Sequence, residues 1–260
     1  MGLIGCGIES SNNTKYQVLI GEDSENIKKF PAADILVIDG EYFSTEDLDD
    51  LRNKGVKKIY SYLNIGSLED FRDYYDAFSD CTLGAYDHWP EEKWVDVSKV
   101  KWQNFIGKKA GSLAQKGFDG FFIDNIDVYY QYPKDEIYDG IVQILTGLQK
   151  LKHDVIINGG DVFVRRYIES GDNSSKLFTG VNQEDVYTSY DFLEDECKLS
   201  SDESREYLQE YLDLVAQNGF DVYVLEYAKD PKIKKDAEAY SKNNGWVCYV
   251  ADNILLKLNA

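Results

Sequence analysis

The chain holds one methionine and two histidines, His88 and His153, among 260 residues. Histidines so far apart form neither the HExxH pair of a zinc hydrolase nor a histidine-rich metal cluster. Four cysteines, Cys6, Cys81, Cys197 and Cys248, stand apart with no CxxC. That excludes a zinc ribbon and a thioredoxin-like redox motif, and it leads us to expect buried free thiols. Neither a P-loop nor a GxGxxG is written, so nucleotide phosphates lack their usual cradle, and no metal or other cofactor is expected. Positive charge is scarce as well: 28 Lys and Arg face 47 Asp and Glu, for a net charge of −19. That balance argues against nucleic acid and anionic membranes as partners and in favour of a cationic one. No apolar run is long enough to span a bilayer.

What is present points to one large core. Hydrophobic residues make up 43% of the chain, which suits a single compact domain of this length. The 20 tyrosines and four tryptophans supply ring faces for packing or for stacking on sugars. Residues 1–15 read as an N-terminal tail or tether. Within it Leu3-Ile4-Gly5-Cys6 resembles a bacterial lipobox followed by a polar stretch, which makes Cys6 a candidate lipid anchor, with a plain tail as the alternative.

From residue 16 to 260 the pattern alternates. Strands are expected at Tyr16 to Ile20, Asp34 to Asp39, Lys58 to Asn64, Gly120 to Asp124, Asp154 to Asn158, Phe178 to Glu184, Asp221 to Glu226 and Trp246 to Ala251. Between them lie helical repeats such as Glu136 to Leu151 and Glu203 to Asn218. Four times a polar pair, a glycine and an apolar residue precede a strand: Asn53 to Val56, Gln115 to Phe118, Gln217 to Phe220 and Asn243 to Trp246. This is how a left-handed glycine ends a helix and turns the chain into the next strand. Eight strand-helix units predict a parallel (β/α)8 TIM barrel in one domain, with a doubly wound open sheet as the rival. Long loops are expected after the third strand (80–105, rich in aromatics, among them Trp89, Trp94 and Trp102) and after the sixth (185–204, acidic). The segment 253–260 looks like a truncated closing helix.

A barrel carries its chemistry at the carboxyl ends of its strands. Here those ends read Asp39 with Glu41, Asn64, Asp124 with Asn125 and Asp127, Asn158, Asn182 with Glu184, Glu226, and Asp252, a ring of acids and amides with no cation. Paired carboxylates are what glycoside hydrolysis needs: one protonates the leaving oxygen and the other attacks the anomeric carbon or activates water. Asp124 and Glu184 are the strongest candidates, since each ends an apolar strand and would otherwise be a costly buried charge. Tyr62, Asn64, Asn158 and Tyr227 could hold sugar hydroxyls, together with Asp39, Asn125, Asp127, Asn182, Glu226 and a Trp89 platform. Simpler roles compete: Asp127, Glu41 and Asp252 could cap helices, Asn158 could shape the turn before Gly159-Gly160, and Trp89 and Trp94 could be core.

Tyr62-Leu63-Asn64-Ile65-Gly66-Ser67 with Glu69, Asp70 and Arg72, then Trp94 to Val97, Gly117 to Asp127, Ile157 to Gly160 and Asn182-Gln183-Glu184, together resemble glycoside hydrolase family 114, the endo-α-1,4-polygalactosaminidases. The resemblance implies a (β/α)8 barrel that cuts within galactosamine-rich, partly deacetylated polysaccharides such as galactosaminogalactan, polycations of microbial biofilm matrices. It implies Asp124 as nucleophile and Glu184 as acid/base, in an extracellular or bacterial surface enzyme expected to be a monomer. Retention of configuration is the expectation. One departure stands out: fungal relatives often carry an acid two residues before the Asp-Asn pair, where this chain has Phe122. A hydrolase of another glycan, or a surface barrel that binds carbohydrate without cutting it, are the alternatives.

Overall fold

The computed structural model describes residues 15–87, 89–171 and 176–258. Eight parallel strands form one sheet in chain order: Tyr16–Val18, Ile35–Ile38, Lys58–Asn64, Gly120–Asp124, Asp154–Asn158, Gly180–Glu184, Asp221–Tyr227 and Val247–Ala251. We refer to them as the first to eighth barrel strands. The sheet curls into a nearly closed (β/α)8 barrel. The segment after the eighth strand helps to close the seam: Gly21 N–H donates to the Leu256 carbonyl (3.3 Å) and Leu258 N–H to Glu22 Oε1 (2.8 Å). Residues 253–258 therefore seal the barrel instead of forming a helix.

Side-chain alternation along each strand builds two apolar layers. Ile35, Val37, Tyr60, Tyr62, Phe122, Ile156, Tyr223 and Leu225 fill the barrel interior with Tyr16 and Val18. Their neighbours Leu36, Ile38, Ile59, Leu63, Phe121, Ile123, Val155, Ile157 and Val224 pack outward against the helices. Interior space is tight: a Cβ at Gly120 would lie 2.7 Å from the Tyr60 ring, so the glycine leaves room for the aromatic filler.

The expected helices appear at Asp135–Gln149 and Asp202–Gln217, alongside Thr45–Asn53, Val100–Lys116, Asp161–Glu169 and Pro231–Asn243. Ser44 and Asp47 form a reciprocal capping box on Thr45–Asn53, and Asp230 caps Pro231–Asn243, which has proline in its first turn. The repeated turn glycines Gly55, Gly117, Gly219 and Gly245 all have positive φ, as a helix-ending left-handed residue requires.

The two expected loops are built structures. After the third barrel strand, Ser67–Glu69, Glu92–Val95 and Thr82–Ala85 make a three-stranded antiparallel sheet. Trp102 does not belong to this excursion; it sits buried in helix Val100–Lys116 and donates from Nε1 to the Ile65 carbonyl (2.8 Å). After the sixth strand, Thr188–Asp191 pairs with Glu196–Leu199 as a hairpin. Cys81, Cys197 and Cys248 are free thiols, whereas Cys6 and the tail around it lie outside the described residues. Among the described residues no helix is long and apolar enough to cross a membrane.

Candidate active site

A cavity of about 810 Å³ opens at the carboxyl ends of the barrel strands, and Asp124, Asn158 and Glu184 are among its lining residues. Strand register explains their meeting. Asn64 pairs with Asp124 across the third and fourth strands, and Asn158 with Asn182 across the fifth and sixth, which sets one layer of polar side chains at a common height. Glu184 follows Asn182 by two residues and points the same way, one layer nearer the mouth.

One amide joins the two carboxylates. Asn158 Nδ2 donates to Asp124 Oδ1 (2.9 Å) and to Glu184 Oε1 (2.7 Å). Two bonds from a single nitrogen hold those two accepting oxygens no further apart than the combined length of the bonds. Each carboxylate has its own tyrosine on its other oxygen. Tyr62 OH donates to Asp124 Oδ2 (3.0 Å), and Tyr227 OH makes a short bond to Glu184 Oε2.

Burial pushes the Asp124 carboxyl up to about 6, with the charge of Glu184 acting in the same direction. Of the further acids that line the cavity, three are pushed up to about 7. Burial raises Asp127 to about 7, aided by Asp161 and Asp124, and Glu92 to about 7, aided by Asp124 and Glu69. Asp185 also rises to about 7 through burial and the charges of Glu184 and Glu226. A pocket in which several carboxylates compete for ionisation is poised for charge chemistry.

Nine of the twelve residues expected at the site line this cavity: Asp124, Glu184, Asp39, Tyr62, Trp89, Asn125, Asp127, Asn158 and Tyr227. Asn64, Asn182 and Glu226 do not. Asn64 closes a turn, donating to Ser67 Oγ (2.6 Å) and accepting from Ser67 N–H (3.0 Å). Asn182 is fully buried and donates to Asn158 Oδ1 (2.7 Å). Glu226 falls on the outward side of its strand, fully buried, where it accepts from Tyr187 N–H (2.7 Å), Thr188 N–H (2.8 Å) and Thr188 Oγ1 (2.6 Å). It holds the root of the hairpin beside Glu184.

The competing simple roles divide. Glu41 pairs with Arg72 and Lys109, and it is Asp39 that caps the short turn after its strand, accepting from Glu41 N–H (3.1 Å) while still facing the cavity. Asp127 receives Gly160 N–H at its two carboxylate oxygens (3.3 and 3.2 Å). Asp252 pairs with Lys234. Trp94 is core, stacked on Tyr86 with centroids 4.1 Å apart. Trp89 meets Phe192 of the hairpin edge-on at 6.2 Å, so both built excursions reach the cavity mouth.

The wall also carries a cation that the strand ends alone do not contain. Arg72 is buried and reaches Asp39 (2.8 Å), Glu41 (2.6 Å) and Glu69 (2.7 Å). Lys109 adds a second pairing to Glu41. Asp39 is therefore neutralised by a neighbour, unlike Asp124 and Glu184. Glu92 accepts from Ser67 Oγ and Asn125 Nδ2 (3.3 Å), and Asn125 holds the left-handed turn after the fourth strand at φ 63°. Gly66 makes that turn feasible, because a Cβ there would stand 1.7 Å from the Asn125 carbonyl oxygen. Arg72, Glu92 and Asp185 were missed as site residues: Arg72 reads only as part of the motif from Tyr62 to Arg72, Glu92 falls in the aromatic excursion and Asp185 in the acidic one. Among the described residues no group of three His, Cys, Asp or Glu is arranged to hold a metal ion.

Comparison with known proteins agrees with the barrel fold. The glycoside hydrolase domain of PelA from Pseudomonas aeruginosa superposes with a TM-score of 0.75 at 16% identity, covering 94% of this chain and 95% of that one. Ega3 of Aspergillus fumigatus, in a complex with galactosamine, gives a TM-score of 0.71 at 18% identity, with 94% and 92% covered. TtGalA, an α-galactosidase of Thermus thermophilus, gives 0.60 at 10% identity over 94% of this chain and 59% of that one. At these identities the likeness shows the shared barrel. No curated protein sequence matches the chain. The profile of glycoside-hydrolase family GH114 spans residues 7–255, and with nearly the whole chain matched, the protein belongs to family GH114 and is a glycoside hydrolase.

Proposed function

We propose that the enzyme cleaves internal α-1,4 linkages of a galactosamine-rich, partly deacetylated polysaccharide with retention of configuration. Asp124 attacks the anomeric carbon while Glu184 protonates the leaving oxygen. The glycosyl-enzyme ester on Asp124 is then hydrolysed by a water that gives its proton back to Glu184. The observation that carries this reading is the single Asn158 nitrogen shared by both carboxylates, since it holds one oxygen of each close together, in keeping with the close pair of a retaining enzyme. At about 6, the Asp124 carboxyl is ionised at neutral pH and available as the nucleophile.

The substrate class rests on charge and on kinship. A net charge of −19 and the cavity acids Glu92, Asp127 and Asp185 favour a cationic sugar polymer, and Ega3 has been captured with galactosamine. Aromatic faces at Trp89 and Phe192 suit sugar rings passing over the mouth. Such a polymer lies outside the cell, so the reading sets the enzyme there as a monomer, held at the surface where Cys6 carries lipid.

A polymer panel tests this: partly deacetylated α-1,4-polygalactosamine, its fully N-acetylated form and a neutral galactan, with new reducing ends followed by early-time NMR. Cleavage of the first with the α-anomer appearing first, and a KM that rises with salt, is the expected result. The β-anomer appearing first means inversion. Cleavage of the neutral polymer alone moves the enzyme to another glycan, and no cleavage of any polymer returns it to binding.

A further inference from the structure

The barrel interior contains a hydrogen-bond chain that ends at the two carboxylates and starts on the opposite wall. Tyr16 OH donates to Asn182 Oδ1 (3.0 Å), Asn182 Nδ2 donates to Asn158 Oδ1 (2.7 Å), and Asn158 Nδ2 donates to Asp124 and Glu184. Its direction is set at Asp124. An ionised carboxylate only accepts, so Asn158 must turn its NH2 to Asp124 and its carbonyl to Asn182. Asn182 must then offer its own NH2, which leaves its oxygen in need of a donor, and the Tyr16 hydroxyl is that donor.

Tyr16 is 2% exposed and Asn182 0%, so no water competes for these groups and each unmade bond costs the full desolvation of its partner. As an interior filler, Tyr16 packs on Tyr223 with centroids 5.1 Å apart, and phenylalanine would fill that space as well. The hydroxyl is the part that packing does not require.

We propose that Tyr16 is a positioning residue for the reaction: acting through Asn182 it locks the Asn158 amide in the orientation that holds Asp124 and Glu184 together. This rests on Asp124 and Glu184 being the reacting pair. Tyr16 is not among the residues that line the cavity. Without its hydroxyl, Asn182 Oδ1 is left buried and unpaired, the hold of Asn182 on Asn158 loosens, and the Asn158 bond that favours the ionised form of Asp124 weakens.

The test is a double-mutant cycle read by ¹³C NMR titration of the Asp124 carboxyl in the unliganded protein, with Tyr16→Phe, Asn158→Ala and the pair together. Tyr16→Phe should move the Asp124 midpoint upward by about 0.5 unit or more. Asn158→Ala should move it further, and the double variant no further than Asn158→Ala alone. Asn182→Ala, which cuts the same chain one link nearer, should shift it in the same direction. On a cleaved polymer, Tyr16→Phe should lower kcat about tenfold while KM stays within about twofold, a loss confined to the transition state. A parent-like titration in Tyr16→Phe or Asn182→Ala, or shifts that simply add in the double variant, overturns the proposal. The titration needs no substrate, so an error in the glycan would show as an inactive parent and leave this result intact.

Discussion

Asp124 sets the acid side of the activity. Its carboxyl is pushed up to about 6 by burial and by Glu184, and a nucleophile must be ionised. Activity should therefore fall as pH drops through about 6, and the acid limb of kcat/KM, which reports the free enzyme, should sit there. A limb near 4 would mean that Asp124 is solvated like a surface acid. Glu226 behaves differently, because its three donors come from the hairpin root. Glu226→Gln places an NH2 against backbone N–H groups and should lower unfolding stability by about 1–3 kcal/mol in urea titrations, with activity kept within about tenfold. Unchanged stability with abolished activity would put Glu226 in the chemistry instead.

At this scale the sequence was informative wherever a strand fixed the residue's direction. Asp124 and Glu184 end barrel strands, and period-two alternation aims both inward. The same alternation aims Glu226 outward, as its position next to inward-facing Leu225 and Tyr227 shows. Arg72 and Glu92 could not be placed, because they come from the excursion after the third strand and have no barrel register to count from.

The element that most constrains the site is the turn after the fourth strand. Asn125 sits there in the left-handed region and donates to Ser67 Oγ (3.1 Å) while Gly66 packs against its carbonyl. Gly66→Ala should displace Asn125 and with it the end of the strand that carries Asp124, lowering kcat by at least about tenfold, as misplacements near 1 Å do. Full activity in this variant would show that the turn yields freely. Turn chemistry was also the most legible part of the fold, since four glycine-bearing turns sit where the repeated motif put them. The excursions were not, because short antiparallel strands such as Thr188–Asp191 and Glu196–Leu199 are too brief and too polar to stand out from loop.

Over the whole molecule the site acids set stability against function. Asp124, Asp127, Glu92 and Asp185 have folded-state values of about 6 to 7, above the unfolded values near 4. The folded state thus holds more protons between those limits, and the stability they lend is complete below about pH 4 and lost as pH rises through 6 to 7. Asp34 and Asp191, held low by Lys57 and Lys198, act in the opposite sense, but these pairs are exposed and screened. Tm should be higher near pH 5 than at pH 8, and Asp127→Asn should narrow the difference. A Tm that climbs steadily from pH 5 to 8 would show that the cavity acids are not held above their ordinary range.

The most direct test of the account is product release from partly deacetylated α-1,4-polygalactosamine by the parent enzyme beside Asp124→Asn and Glu184→Gln, with folding of each checked by thermal melts. The account predicts oligosaccharides from the parent and a loss of at least about 10³-fold in both variants, each still folded. Substantial hydrolysis by either folded variant would contradict the pairing of these two carboxylates as the reacting groups.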